Sequence, residues 1–146
     1  MIKTPPVSNL RYRLYTDGAC RGNPGHGSAG AVLQDREGTV LQEWGRYLGV
    51  CTNNIAEYEA LILGVRQALD QGVTQLDIFL DSELLVKQVK GEYRVKNARL
   101  QELIREVRRL LSLLADYDIM HIPREENRLA DKLANAALDE GLRCRG

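Results

Sequence analysis

The chain has 146 residues, 44% of them hydrophobic and 27% charged, and its 20 basic and 20 acidic side chains cancel. That length suits one domain with a real core. No run approaches the ~18 apolar residues of a membrane span, and a zero net charge singles out no partner. Three scattered cysteines match neither a zinc pattern nor an even disulfide framework, so a reducing, cytoplasmic setting is expected.

The start, Met1-Ile2-Lys3-Thr4-Pro5-Pro6, lacks the apolar centre of a secretory signal, and residues 1–9 are expected to form a flexible tail. Arg11 to Thr16 alternates like a strand. A glycine-rich stretch, Gly18 to Gly30, reads as a loop, with a second strand over Ala29–Gln34. Arg36-Glu37-Gly38 is a turn, and Thr39–Leu48 a third strand. Short connections make these three an antiparallel meander. Asn54–Gln71 is predicted helical, opened by Asn54-Ile55-Ala56-Glu57 as a capping box and closed by Gly72. Gln75–Leu80 reads as a fourth strand, Ser82–Val89 as a short helix and Ala98–Ala115 as a long amphipathic helix. Asp118–Ile122 is a fifth strand stopped by Pro123, and Asn127–Leu142 the last helix. Strands first, then alternating helix and strand, imply an α/β fold with a mixed sheet covered by helices. One domain over 10–142 and a short tail over 143–146 complete the expected organisation.

Four carboxylates stand out on this frame. Asp17 and Asp81 end strand-like runs. Glu57 shares an inward helix face with Ala60, Leu61, Gly64 and Ala68, and Asp131 lies on a stripe with Ala134 and Leu138. Charges are seldom left in such places unless paired or bound to metal. Converging acids repel, and hard oxygen ligands suit Mg²⁺ or Mn²⁺. A carboxylate at a helix start gains only ~0.3–1 kcal/mol from the dipole, a rival explanation for Asp131 alone. Charge is also unevenly placed. Residues 87–109 hold eight bases and three acids, whereas 51–83 hold six acids and one base. An acidic patch beside a basic one suits a metal site next to a phosphate backbone.

The motifs Tyr15-Thr16-Asp17-Gly18-Ala19-Cys20-Arg21-Gly22-Asn23-Pro24-Gly25, Thr52-Asn53-Asn54 with Glu57, Leu80-Asp81-Ser82, and Asn127 with Asp131 occur in one order and spacing. From about Arg11 to Leu138 the chain resembles the ribonuclease HI family. The resemblance implies a ribonuclease H-like fold, a five-stranded mixed sheet with three antiparallel strands followed by parallel ones, flanked by helices. It implies endonucleolytic cleavage of the RNA strand of RNA–DNA hybrids, leaving 5′-phosphate and 3′-hydroxyl ends, with Mg²⁺ or Mn²⁺, two ions per site. The metal-binding acids map onto Asp17, Glu57, Asp81 and Asp131, with Asp17 as the bridging ligand. Two such ions can clamp an in-line displacement at phosphorus. The resemblance further implies that Asn23, Asn53 and Asn54 contact the hybrid, that Thr52 lines a phosphate pocket for the DNA strand, and that Glu57 meets a ribose 2′-OH, the group that marks RNA. The glycines from Gly18 onward leave backbone amides free to approach sugar and phosphate. A monomer with no protein partner is expected.

Three departures from the family matter. Some members place a histidine in the loop before the last acid; here the loop is Pro123-Arg124-Glu125-Glu126, His121 precedes it, and Arg124 is the candidate substitute, acting on phosphate charge. Others carry a basic protrusion, replaced here by residues 91–97, so grip on the substrate is expected to be weaker, or borrowed from Arg94, Lys96 and Arg99. Glu83 stands where some have glutamine. A proofreading exonuclease would carry Asp-x-Glu in its first strand, and here Gly18 and Ala19 follow Asp17. A weak hybrid-binding module, or a nuclease of the same fold acting on another duplex, is the alternative. A Cys51–Cys144 bridge tying down the C-terminus is a further candidate, against three free thiols.

Overall fold

The computed structural model describes residues 10–145; the expected N-terminal tail lies outside the described residues. Five strands, β1 (Arg11–Gly22), β2 (Gly25–Gln34), β3 (Val40–Cys51), β4 (Gln75–Leu80) and β5 (Asp116–His121), form one sheet in the order β3-β2-β1-β4-β5. β1 pairs antiparallel with β2, and β2 with β3. β1–β4 and β4–β5 are parallel. The helices are α1 (Asn53–Asp70), α2 (Glu83–Val89), α3 (Ala98–Leu111) and α4 (Arg128–Arg145), with a 3₁₀ turn at Arg124–Glu126. The mixed sheet matches the expected architecture.

The two faces are told apart by alternation along β1. Leu14 and Thr16 point at Gly64 of α1, whereas Gly30, the partner of Asp17 across the β1–β2 ladder, sits against Ala130 and Ala134 of α4. So α1 covers one face and α4 the other. The main core lies on the α1 side, where Tyr58, Leu61 and Val65 pack with Leu103, Val107 and Leu110 of α3 over Leu14, Ile78 and Leu80.

The glycine-rich stretch is not a loop. β1 continues to Gly22 and β2 begins at Gly25, leaving only Asn23–Pro24 as the turn, so Asp17 lies within a strand rather than at its end. Strand propensity is low there, but the glycines answer a packing need. A Cβ on Gly18 would stand 2.5 Å from the Glu57 amide nitrogen, and one on Gly27 2.5 Å from Cys51 Sγ.

Boundaries shift elsewhere for local reasons. α1 is capped by Thr52, whose Oγ1 accepts from the Ile55 amide at 3.3 Å, so Asn54 is not the cap and Glu57 does not close a capping box. α3 stops at Leu111 because the Ala115 amide is already bonded to the Thr74 carbonyl at 2.8 Å, feeding β5. β5 starts at Asp116, whose carboxylate meets Arg11 Nη1 at 2.5 Å while Arg11 Nε meets Asp77 at 2.8 Å. One guanidinium thus ties the starts of β1, β4 and β5. α4 runs through the expected C-terminal tail to Arg145.

The proposed Cys51–Cys144 bridge is absent: all three cysteines are free. Cys144 sits in α4 near Glu140, whereas the neighbour of Cys51 is Cys20. Burial, and then Cys20, push the Cys51 thiol up to about 11. Cys20 donates to the carbonyls of Gly22 and Cys51, at 2.8 and 3.1 Å. The Cys51 thiol is therefore protonated and unreactive near neutral pH.

Candidate active site

The β1–β4 ladder sets Tyr15 beside Phe79, and their rings stack at 4.8 Å between centroids. Two residues further along each strand, on the same face, come Asp17 and Asp81. Parallel pairing therefore delivers two carboxylates side by side, Asp81 just past the carboxyl end of β4 and Asp17 beside it in the continuing β1. Glu57 arrives from the first turns of α1, drawn in by the Gly18 amide, which donates to Glu57 Oε1 at 2.9 Å. One oxygen each from Asp17, Glu57 and Asp81 fall within 4.8 Å of one another.

Asp17 is the deepest of the three, only 6% exposed. Burial, then the charges of Glu57 and Asp81, push its carboxyl far above the ordinary range; hydrogen bonding to Glu57 and Asp131 adds to this. Burial also raises Glu57 to about 7, although the Asp17 hydrogen bond and the Gly18 amide oppose that rise. Two carboxyls whose ionisation burial disfavours, set beside a third, form a site suited to positive charge.

Asp131 departs from expectation. It is exposed at the start of α4, outside the tight triad, though its carboxyl still reaches Asp17. The buried stripe of α4 runs through Ala130, Ala134 and Leu138 instead. Asn135, one turn on, donates to Asp131 Oδ1 at 3.2 Å and to its carbonyl at 3.0 Å. Asn127 Nδ2 donates to Asp81 Oδ2 at 2.9 Å. Asn135 was absent from the sequence-derived site and Asn127 had no role in it. Their spacing of four residues on either side of Asp131 was the available signal.

All four acids line a cleft of about 460 Å³ with Gly18, Asn53, Asn54 and Arg124. Arg124 projects from the 3₁₀ turn, and its charge acts on Glu57. His121, exposed at the end of β5, is not among the lining residues. Asn53 and Asn54 also line a second hollow with Asn23, Thr52, Asn97 and Arg99. Asn23 Oδ1 accepts from the Asn53 amide at 3.0 Å, joining the β1–β2 turn to the start of α1. The two hollows thus make one polar groove leading away from the acids. Of the expected cations, Arg99 borders this groove, paired with Glu59 at 3.6 Å, while Arg94 lines a separate hollow with Arg105 and Arg108.

Comparison with known proteins decides the family. A family model described as reverse transcriptase-like matches residues 15–137. Ribonuclease HI of Halobacterium salinarum is 41% identical over 135 residues, 92% of this chain and 68% of that protein. The chain belongs to the ribonuclease H family. The crystal structure of the Halobacterium ribonuclease H1 superposes with a TM-score of 0.87 at 41% identity, covering 89% of this chain and 98% of that one. The ribonuclease H1 called LC11, solved in complex with an RNA/DNA hybrid, gives a TM-score of 0.85 at 38% identity over 90% of this chain and 99% of that one. A bifunctional protein of Mycobacterium tuberculosis is 40% identical over 131 residues, but the chain spans only 36% of its length. Ribonucleases H are hydrolases dependent on divalent metal, and the Asp17-Glu57-Asp81 triad supplies an all-oxygen donor set of the kind such ions take. Among the described residues, no helix is long and apolar enough to cross a membrane.

Proposed function

We propose that this chain is an endoribonuclease that hydrolyses the RNA strand of RNA–DNA hybrids, leaving 5′-phosphate and 3′-hydroxyl ends, with two Mg²⁺ or Mn²⁺ ions held by Asp17, Glu57, Asp81 and Asp131. One observation carries the reading: a buried strand acid, Asp17, has oxygens of Glu57 and Asp81 within 4.8 Å at the head of a polar groove. The donors fit hard divalent ions, and the raised Asp17 and Glu57 carboxyls are what a cluster lacking its countercharge should show. When bound, the ions supply positive charge to the phosphate and lower the pKa of an attacking water.

The chain's own residues do the positioning. Gly18 fixes Glu57 and Asn135 fixes Asp131, so the acids are oriented before substrate arrives. Asn23, Thr52, Asn53 and Asn54 present neutral donors and acceptors along the groove, suited to sugar and base edges. Glu57, which lines the cleft with Asn53 and Asn54, can accept from a ribose 2′-OH, which gives discrimination by sugar. Arg124 is a fixed cation at the cleft, suited to holding the scissile phosphate or easing release of the new 5′-phosphate. All of these groups come from one chain, in keeping with action as a monomer, and three unbridged cysteines are in keeping with a reducing cytoplasm.

The test is cleavage of a hybrid labelled separately on each strand, beside duplex DNA of the same sequence, with Mg²⁺, with Mn²⁺ and with excess chelator. Only the RNA strand should be cut, and only with metal. Affinity for the hybrid should fall with salt, gently for a neutral chain. Duplex DNA cut at a comparable rate, or cleavage surviving the chelator, would sink the reading.

A further inference from the structure

Asn127 is only 1% exposed and makes three contacts that converge on the acids. Its Nδ2 donates to the Thr16 carbonyl and to Asp81 Oδ2, both at 2.9 Å. Its own carbonyl accepts from the Asp131 amide at 3.2 Å, the first turn of α4. Thr16 directly precedes Asp17 in β1. A single residue outside the acid set therefore touches the strand that carries Asp17, the side chain of Asp81 and the backbone of Asp131.

The arrangement is not one chosen for stability. Both contacts of Nδ2 are acceptors, so a half-turn of the amide would set Oδ1 against a carbonyl and a carboxylate. The amide is locked, and its Oδ1 is left buried without a partner among the described residues. An orphaned buried acceptor carries its full desolvation cost uncompensated. A residue that holds the loop before α4 in place without this cost would serve packing better. What the amide adds is the link between Thr16 and Asp81.

We infer that Asn127 is a positioning residue of the acid cluster: it fixes the Asp81 carboxylate relative to Asp17 and ties the α4 end that carries Asp131 to the same point. The inference rests on the metal reading above. It treats Asn127 as acting through Asp81 and touching neither substrate nor metal. Groups that orient ligands in this way typically cost 10–100-fold in metal affinity when removed.

The experiment measures Mn²⁺ affinity of the full chain by calorimetry, without nucleic acid, for wild type, Asn127→Ala, Asp81→Asn and the double variant. Asn127→Ala should weaken Mn²⁺ by about 10–100-fold. The double variant should bind no more weakly than Asp81→Asn alone, because a residue acting through Asp81 has nothing left to act on. Hybrid affinity in chelator should be unchanged. Asn127→Ser, a milder change that keeps the main-chain bond to Asp131 but cannot span both acceptors, should lose affinity in the same way if the alanine variant fails to fold. In the wild type the Asn127 side-chain amide resonances should move on Mg²⁺ addition. Wild-type Mn²⁺ affinity in the folded Asn127 variants, losses that add fully in the double variant, or amide resonances that ignore Mg²⁺ would each overturn the inference. An Asp81→Asn chain that binds Mn²⁺ like wild type would instead overturn the metal reading, and the inference with it.

Discussion

The Gly18 amide and the Glu57 carboxylate, 2.9 Å apart, join sheet to helix at a point where β1 carries no side chain. The same residue that lets α1 approach also aims the acid that α1 carries. Thr16 and Gly18, on either side of Asp17, are both committed: one carbonyl is held by Asn127, one amide by Glu57. Asp17 is thereby clamped in its strand from both sides.

Gly18→Ala should test this junction. Its Cβ would lie 2.5 Å from the Glu57 nitrogen and closer still to the Ala56 carbonyl carbon, so backbone must move. Overpacking of this kind costs about 1–3 kcal/mol or more. Denaturant unfolding should show that loss, and hybrid cleavage should fall further than stability explains, because Glu57 is displaced with its helix.

Asp17→Asn, Glu57→Gln and Asp81→Asn should each reduce hybrid cleavage by about 100-fold or more, equivalent to about 2.7 kcal/mol of transition-state stabilisation. The metal-free variants should melt at or above the wild-type temperature, since each change removes a carboxyl from a crowded acidic cluster. Asp131→Asn should retain more activity, as that acid stands exposed outside the triad. Wild-type cleavage by any of the first three would end the metal assignment.

The pH dependence of stability follows from the same acids. Asp17 and Glu57 have folded-state pKa values above those of free carboxyls, mainly through burial. Between the unfolded value of about 4 and the folded one, the native state holds more protons, so stability falls as pH rises. For Glu57 that window runs up to about 7, and for Asp17 it extends higher. Metal-free protein should therefore lose melting temperature from pH 5 to 8 on the order of a few degrees, and both Mg²⁺ and Asp17→Asn should flatten the slope. Glu106 acts oppositely: Arg109 lowers it to about 2, so its modest contribution fades only as the solution becomes acid. A melting temperature that rises across pH 5 to 8 without metal would contradict the burial argument.

Arg124→Ala should lower turnover about tenfold or more, near 1.4 kcal/mol, with a smaller change in hybrid affinity. Lysine should restore only part, for lack of the planar fork. His121→Ala should leave turnover nearly unchanged, because that ring is exposed outside the cleft. Single-turnover and steady-state cleavage of these variants decide the matter, and normal cleavage by Arg124→Ala alongside a defective His121→Ala would reverse the two roles.

Periodicity made most of the sheet and all four main helices legible, because apolar spacing reports which face is buried. The failures have physical causes. Gly18 to Gly30 looked like a loop because glycine has poor strand propensity, yet the ladder from Asp17–Gly30 to Gly22–Gly25 is continuous, and within it Gly18 and Gly30 make room for α1 and α4. The start of β5 was hidden by Asp116 and Asp118, exposed on an edge strand, with Arg11 as the distant partner of the first. Three acids were found because a carboxylate on an apolar face is costly. Asp131 was singled out from the stripe it shares with Ala134 and Leu138, and that same stripe misjudged its burial. The link from Asn127 to Thr16 spans 111 positions, and no local pattern announces it.

The acids are also divided along the chain in a useful way. Asp17, Glu57 and Asp81 precede the exposed turn at 91–97, and Asn127 and Asp131 follow it. A backbone cut in that turn would give two pieces, neither owning a whole site, whose joining requires α3 to settle on α1 and β5 to pair with β4. Fused to two other proteins, such halves would convert their encounter into strand scission, so that a fluorogenic hybrid becomes an amplified signal of association.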